Sequence, residues 1–255
     1  MTAPTVSAAR LTLAHAKYSL LETSRVPIAV IGSLVFPALS LLFFVVPQRA
    51  VAENAEWATQ AVISLSVFAV LANALFGFGL NIAQSRELPW DPYLRTLPAP
   101  GISRVLGHVF STGLVGIAAI VPVVVLGALL TAAEASWWRL LLGFVAIAAS
   151  ALPFVFIGIS VGYSMPAKAA IAVVQVLMFG LAFGGGLFLP PAVFPDWLDA
   201  ISRFLPSRDA REIVVWAVQG GELAPWAWIG WLAWTATTLA LALLLFRRDE
   251  GRRFR

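Results

Sequence analysis

HVFSTGLVGIAAIVPVVVLGALL, residues 108–130, carries no Asp, Glu, Lys or Arg. As an α-helix rising 1.5 Å per residue it would be about 35 Å long, enough to cross a hydrocarbon core of about 30 Å. Five further stretches reach that length: residues 27–46, 61–82, 140–162, 169–188 and 226–246. They are evenly apolar and too long for barrel strands, and an open sheet edge in lipid leaves backbone groups unpaired. The fold class that follows is an all-α integral membrane protein with six transmembrane helices, residues 27–255 forming a single transmembrane domain.

Composition points the same way. Of 255 residues, 60% are hydrophobic and only 12% charged, against about 25% charged in a soluble domain. Half the usual charge cannot clothe a soluble globule of this size. That excludes secreted disulfide scaffolds, disordered tails and nearly all soluble enzymes. The absence of cysteine removes thiolate metal sites and a Cys nucleophile. A net charge of +4 is no sign of nucleic acid, because the basic residues sit in short flanks between apolar runs.

Those flanks set the orientation. One set holds twelve of the Lys and Arg residues, among them Arg10, Lys17, Arg25, Arg86, Lys168, Arg247 and Arg248; the other holds only Arg49, Arg139, Arg203, Arg208 and Arg211. The positive-inside rule places both termini in the cytoplasm of a multi-pass plasma-membrane protein, expected to be bacterial. Most interfacial tryptophans, Trp57, Trp137, Trp138, Trp197, Trp216, Trp226 and Trp228, then lie outside, and Tyr18, Tyr93 and Tyr163 inside. Ala50-Val51-Ala52 has the look of a signal-peptidase site. The apolar run before it is longer than a secretory h-region of about 7–15 residues, so residues 27–46 read as a retained span.

The connections are patterned. In residues 1–26, Leu11, Ala14, Tyr18 and Leu21 recur at helical spacing with Arg10 and Lys17 on another face, as in an amphipathic helix on the cytoplasmic leaflet. The cytoplasmic connection 83–103 runs through Ser85-Arg86-Glu87 to Pro89-Trp90-Asp91-Pro92-Tyr93-Leu94-Arg95-Thr96-Leu97-Pro98. Asp91 as N-cap and Pro92 at the first helical position would start a short helix there. It reads equally as a docking element or as a helix resting on the membrane. In the outer connection 189–225, Trp197, Leu198, Ile201, Phe204 and Leu205 share one helical face and Pro206 stops it. Asp209 and Glu212 are spaced as a capping box for a second helix over 213–218, ended by Gly220-Gly221. Both helices are expected to dip into the outer leaflet, and Gly184-Gly185-Gly186 to weaken the fifth span near its end.

Several kinds of chemistry are missing. None of the six spans contains an ionisable acid or base other than His108, whereas proton- and sodium-coupled carriers commonly place such groups there. The only lysines, Lys17 and Lys168, do not follow a glycine, so the chain has no phosphate-binding loop. Gly158-Ile159-Ser160-Val161-Gly162 has nucleophile-elbow spacing. An intramembrane hydrolase using Ser160 would need a base, and His15 and His108 are the only histidines. Glycines four apart, Gly158/Gly162 and Gly180/Gly184, more simply permit close helix packing. Two lone histidines make no metal site. A non-transporting membrane scaffold is a further reading of the same pattern. Polar and aromatic residues inside the spans, Asn73, Phe76, Gln175, Met178, Phe179 and Phe183, are candidates for lining a substrate path.

The arrangement resembles the membrane subunit of ABC transporters of the type-2 permease family, exporters of drugs, lipids and polysaccharides. The likeness rests on the six spans, the N-terminal helix and the Ser85-Arg86-Glu87 loop leading to Leu97-Pro98. It rests above all on Gly186-Leu187-Phe188-Leu189-Pro190 followed by Phe194-Pro195-Asp196-Trp197-Leu198, Ile201 and Leu205-Pro206. That run is similar to the family's outer re-entrant segment, with Gly186, Pro190 and Trp197 as its marks. Where the family often has Gly-Thr-Leu-Glu after Arg-Glu, this chain has Leu88-Pro89-Trp90-Asp91. The resemblance implies a cytoplasmic ATP-binding subunit docked at a coupling loop through Arg86, Glu87, Asp91, Tyr93, Leu94 and Leu97. It also implies a second permease chain, identical or paired, with ATP and Mg bound by the partner subunit and no cofactor in this chain. Spans two and five would line the path, and spans one and five meet near the two-fold axis. The Phe-rich spans favour a hydrophobic or amphipathic substrate, with membrane lipids as neighbours.

Overall fold

A computed structural model describes residues 7–25, 35–89 and 101–252; these are helical with short connections and include no strand. In chain order the helices of seven residues or more are α1 (Ala8–Ser24), α2 (Val35–Val45), α3 (Ala55–Glu87), α4 (Gly101–Leu130), α5 (Trp137–Ser164), α6 (Ala167–Gly184), α7 (Asp196–Ser202), α8 (Pro206–Gln219) and α9 (Pro225–Arg252). Among the described residues, α3, α4, α5, α6 and α9 are long and apolar enough to cross a membrane. The first expected span, 27–46, is described only from Val35 onward, and its earlier part lies outside the described residues.

Helix α3 is the axis of the bundle. In its apolar window 72% of residues are buried, against 28% in α4, α5 and α6 and 11% in α9. Asn54 starts it: its side chain accepts from the Trp57 N–H at 3.1 Å and satisfies one of the free donors of the first turn. Its apolar residues are not confined to one stripe, so it can bury all sides at once. Phe68, Leu71, Leu75 and Phe78 meet Phe154 of α5, Val174 of α6 and Val214 of α8 in one core.

At Leu75–Leu80 the helix loosens into a π-turn containing Gly77 and Gly79. Gly158 and Gly162 of α5 pack against this turn. A Cβ on Gly158 would lie 2.7 Å from the Ala74 carbonyl oxygen and 3.1 Å from Phe78 Cβ; one on Gly162 would lie 2.7 Å from Ile82 Cβ. The expectation of close approach therefore holds for this pair. It does not extend to Gly180, which has nothing within 4 Å in the chain, and Gly184 meets only Leu205. Gly158→Val is expected to destabilise the chain by about 1–3 kcal/mol or more through overpacking against backbone that cannot yield. Gly180→Ala, inside α6 with open space around it, should leave the melting temperature of the isolated chain unchanged or slightly raised, and thermal unfolding in detergent compares the two.

Two boundaries differ from the sequence expectation. The fifth span ends at Gly184 rather than residue 188, with Gly185 as C-cap and Gly186 at φ +75°. An L side chain at Gly186 would be strained, and Pro191 already occupies the space beside it. Pro206 begins α8 instead of merely stopping the helix before it, as a proline with no N–H does at a first helical position. The capping box at Asp209 and Glu212 is absent: the N-cap is Leu205, and both residues lie inside the helix.

Nor does α8 face outward. Pro206, Ser207, Ala210, Ile213, Val214, Ala217 and Val218 are buried, and the helix packs against α5, α9, α3 and α6. The Ser207 hydroxyl donates to the Leu181 carbonyl at 2.6 Å, and Val218 fills the space left by Gly143. The expected dip into a leaflet is corrected to burial within the bundle. Neighbouring α7 keeps Trp197, Ile201 and the following Phe204 exposed.

Helix α1 lies along the start of α4. Gly107 admits the His15 side chain and the backbone of Thr12 and Ala16, and the Ser111 hydroxyl donates to Ser19 at 2.8 Å. The small polar face thus meets protein, while Leu13, Tyr18 and Leu21 stay exposed.

Candidate functional site

Four helix ends converge around the last turn of α3. Arg86 Nη1 donates to the Gly162 carbonyl of α5 at 2.8 Å, and Nη2 donates to Asp249 Oδ1 of α9 at 2.6 Å. Its guanidinium also stands 5.7 Å from the centre of the Tyr163 ring, which meets Phe246 edge-on at 5.4 Å. Glu87 Oε1 accepts from the Ala167 N–H at 2.8 Å. That N–H opens α6, where free donors and the positive end of the helix dipole favour a carboxylate. Arg86 and Glu87 therefore join α3 to α5, α6 and α9 immediately before the segment 90–100. Asp91, Tyr93, Leu94 and Leu97, the other expected docking residues, lie outside the described residues.

The expected path residues do not form one cluster within the chain. Asn73 Nδ2 donates to the Thr112 carbonyl at 2.8 Å and lines an apolar cavity of about 460 Å³ among α3, α4, α5 and α9. Phe76 is half-buried and Met178 buried in the core. Gln175, Phe179 and Phe183 share an exposed face of α6 with Ile171. From that face a chain of rings runs inward: Phe183 is 5.1 Å from Phe188, Phe188 4.6 Å from Phe68, and Phe68 5.8 Å from Phe36 of α2. Ser160 donates to its own helix at the Phe156 carbonyl, 2.7 Å away, and His108 donates to the Gly77 carbonyl of α3 at 2.8 Å.

At the opposite end of the bundle, Gly186 and Pro190 border a small cavity with Gln60, Ser64 and Arg211, whereas Trp197 is exposed. Arg211 is 3% exposed. Its Nε donates to Ser64 at 2.9 Å, Nη2 to Gln60 at 2.8 Å and Nη1 to Glu212 at 2.8 Å. Arg208 lies 3.5 Å from Asp199 and 3.3 Å from Glu212. Between them Asp209 is fully buried, and neither carboxylate oxygen has a hydrogen-bond partner among the described residues. Burial pushes its carboxyl up to about 7, against the opposing pull of Arg208. The sequence reading missed this charged cluster because the four ionisable residues disguise an apolar helix. The signal was present in Ala210, Ile213, Val214, Ala217 and Val218, spaced at i, i+3, i+4, i+7 and i+8.

A multi-pass, all-α membrane protein whose core elements meet at one junction at the end of α3 is the class that this architecture defines. The chain belongs to the ABC-2 type transporter family, whose pattern it matches over residues 10–218. It is also similar to the protein named "Putative transport permease YvfS" of Bacillus subtilis (strain 168), 27% identical over 210 residues, 81% of this chain and 86% of the relative. It is accordingly a transmembrane transporter subunit rather than an enzyme.

Proposed function

We propose that the chain is the permease of an ATP-driven exporter of a hydrophobic or amphipathic, drug- or lipid-like substrate. Six spans with both termini cytoplasmic form the transmembrane domain 27–255, the first span including α2. Residues 1–26 contribute an interfacial helix, whose exposed Leu13, Tyr18 and Leu21 suit a lipid surface. The outer segment 189–225 re-enters the bundle through α8. Two such chains, identical or paired, face each other across α2 and α6, where the exposed stripe of Ile171, Gln175, Phe179 and Phe183 would lie between them.

The observation that carries this reading is the junction at Arg86 and Glu87. A cytoplasmic ATP-binding subunit docked on the loop 83–103, with its ATP and Mg, would pull on α3, α5, α6 and α9 together. A chain with no phosphate-binding loop needs such a partner to use ATP. Co-expression with an ATP-binding subunit encoded beside it is expected to yield a complex with vanadate-sensitive hydrolysis, stimulated by the exported compound. Recovery of no complex in mild detergent would overturn the proposal. A complex whose hydrolysis no amphiphile stimulates would instead favour a scaffold role.

A further inference from the structure

Asp209 is fully buried, and neither oxygen of its carboxyl has a hydrogen-bond partner among the described residues. It sits on Gly230 of α9, so close that a Cβ there would collide with Oδ2 and lie 2.7 Å from Oδ1. We propose that Asp209 is a proton-binding site: its carboxyl is neutral while α8 is seated against Gly230, and it ionises when α8 moves away.

The surroundings decide the charge state. Helix α9 presents no ionisable residue from Pro225 to Phe246. From α3, Gln60 and Ser64 are already bonded to Arg211, and the backbone carbonyl of Glu56 accepts from Gln219. From α5, Arg139 stacks 4.7 Å over Trp138 and lies beside Gly220 at the far end of α8. Helix α6 has no ionisable residue after Lys168, at its opposite end. Asp199 of α7 is held by Arg203 at 2.6 Å and by Arg208. On α8 itself, Arg208 and Arg211 are directed to Asp199, Glu212, Ser64 and Gln60. Both arginines are thus ion-paired with other carboxylates; Arg208 Nη1 has no hydrogen-bond partner among the described residues and pulls the Asp209 carboxyl down less than burial raises it. A carboxylate shut away from water with no hydrogen-bond donor is costlier than the neutral acid, and here burial outweighs the pull of Arg208.

The step balances simply. When α8 is displaced, the O–H bond of the acid breaks, its electron pair stays on the carboxylate, and the proton passes to water. Reseating takes a proton back. Acidic conditions therefore favour the seated helix and alkaline conditions favour its release, so the position of α8 is linked to proton activity. By the positive-inside orientation this water is on the outer side.

The test uses the full chain in lipid nanodiscs and needs no partner subunit, so it stands apart from the transport reading. Infrared spectra of wild type and Asp209→Asn are compared from about pH 4 to pH 9, a range spanning ordinary and raised carboxyl titration. The wild type should show the carbonyl stretch of a protonated acid that disappears near neutrality, and Asp209→Asn should lack it. Such a midpoint corresponds to proton binding on the order of a thousandfold tighter than at an ordinary aspartate. Identical spectra, or a midpoint in the ordinary carboxylate range, would overturn the proposal. If Asp209→Asn does not fold, Gly230→Ala replaces it: crowding by the new methyl should hydrate the carboxyl and lower the midpoint. An unchanged midpoint in that variant would overturn it equally.

Discussion

Replacing Arg211 by alanine is expected to lower the stability of the chain by about 3–5 kcal/mol, the range for breaking a buried ion pair from one side. The guanidinium ties α8 to two residues of α3 and to Glu212 at 2.8–2.9 Å, and only 3% of the residue is exposed. Its loss leaves Gln60 and Ser64 without their donor and removes one of the two cations at Glu212. Arg211→Lys keeps the charge, but one ammonium cannot span three acceptors set in a planar fork, so it should recover only part of the loss. Ser64→Ala, which removes a single acceptor, should cost about 1 kcal/mol. Thermal unfolding in detergent, followed by tryptophan fluorescence, ranks the three. Wild-type melting of Arg211→Ala would show that α8 is not held inside the bundle.

Loss of Arg86 should have the second largest effect, and on coupling as much as on stability. Hydrogen bonds to charged groups contribute about 1.5–3 kcal/mol each. Arg86 makes two, one to a carbonyl and one to Asp249, with its side chain 20% exposed and that of Asp249 6%. Allowing for solvent screening, Arg86→Gln is expected to destabilise by about 2 kcal/mol. In an assembled transporter it should retain partner binding while losing most substrate-stimulated hydrolysis, because α3 no longer moves with α5 and α9. The exchanged pair Arg86→Asp with Asp249→Arg should restore part of what either single change removes; a double-mutant cycle measures that coupling. Additive losses with no restoration would exclude a clamp between the two helices. Glu87→Gln, which leaves a neutral acceptor at the start of α6, should have a smaller effect.

The apolar runs, their all-α character and a glycine break near the end of the fifth span could be read directly. Each depends on interactions local in the chain: 1.5 Å per residue against the thickness of a bilayer, and a backbone that only glycine tolerates at residue 186. The close approach at Gly158 and Gly162 was legible as a pattern, yet the same pattern at Gly180 and Gly184 meets little within the chain. Spacing shows that a surface is smooth but not what lies opposite.

The candidate sites were legible only in part. Arg86 and Glu87 were recognised as a pair, but their partners Gly162, Asp249 and Ala167 lie 76, 163 and 80 positions away. No local rule connects residues so distant. Helix α8 was misplaced for the opposite reason. Four ionisable residues among its first seven positions left only residues 213–218 to read as a helix, one dipping into the leaflet, since burying charge without partners is prohibitive. What the amino-acid order determined by itself was that this chain must live in a membrane as a bundle of helices. Only tertiary structure decided which charges are buried: Arg211 meets partners on α3, and Asp209 lies where α9 has only a glycine, both set by the packing of elements remote in sequence.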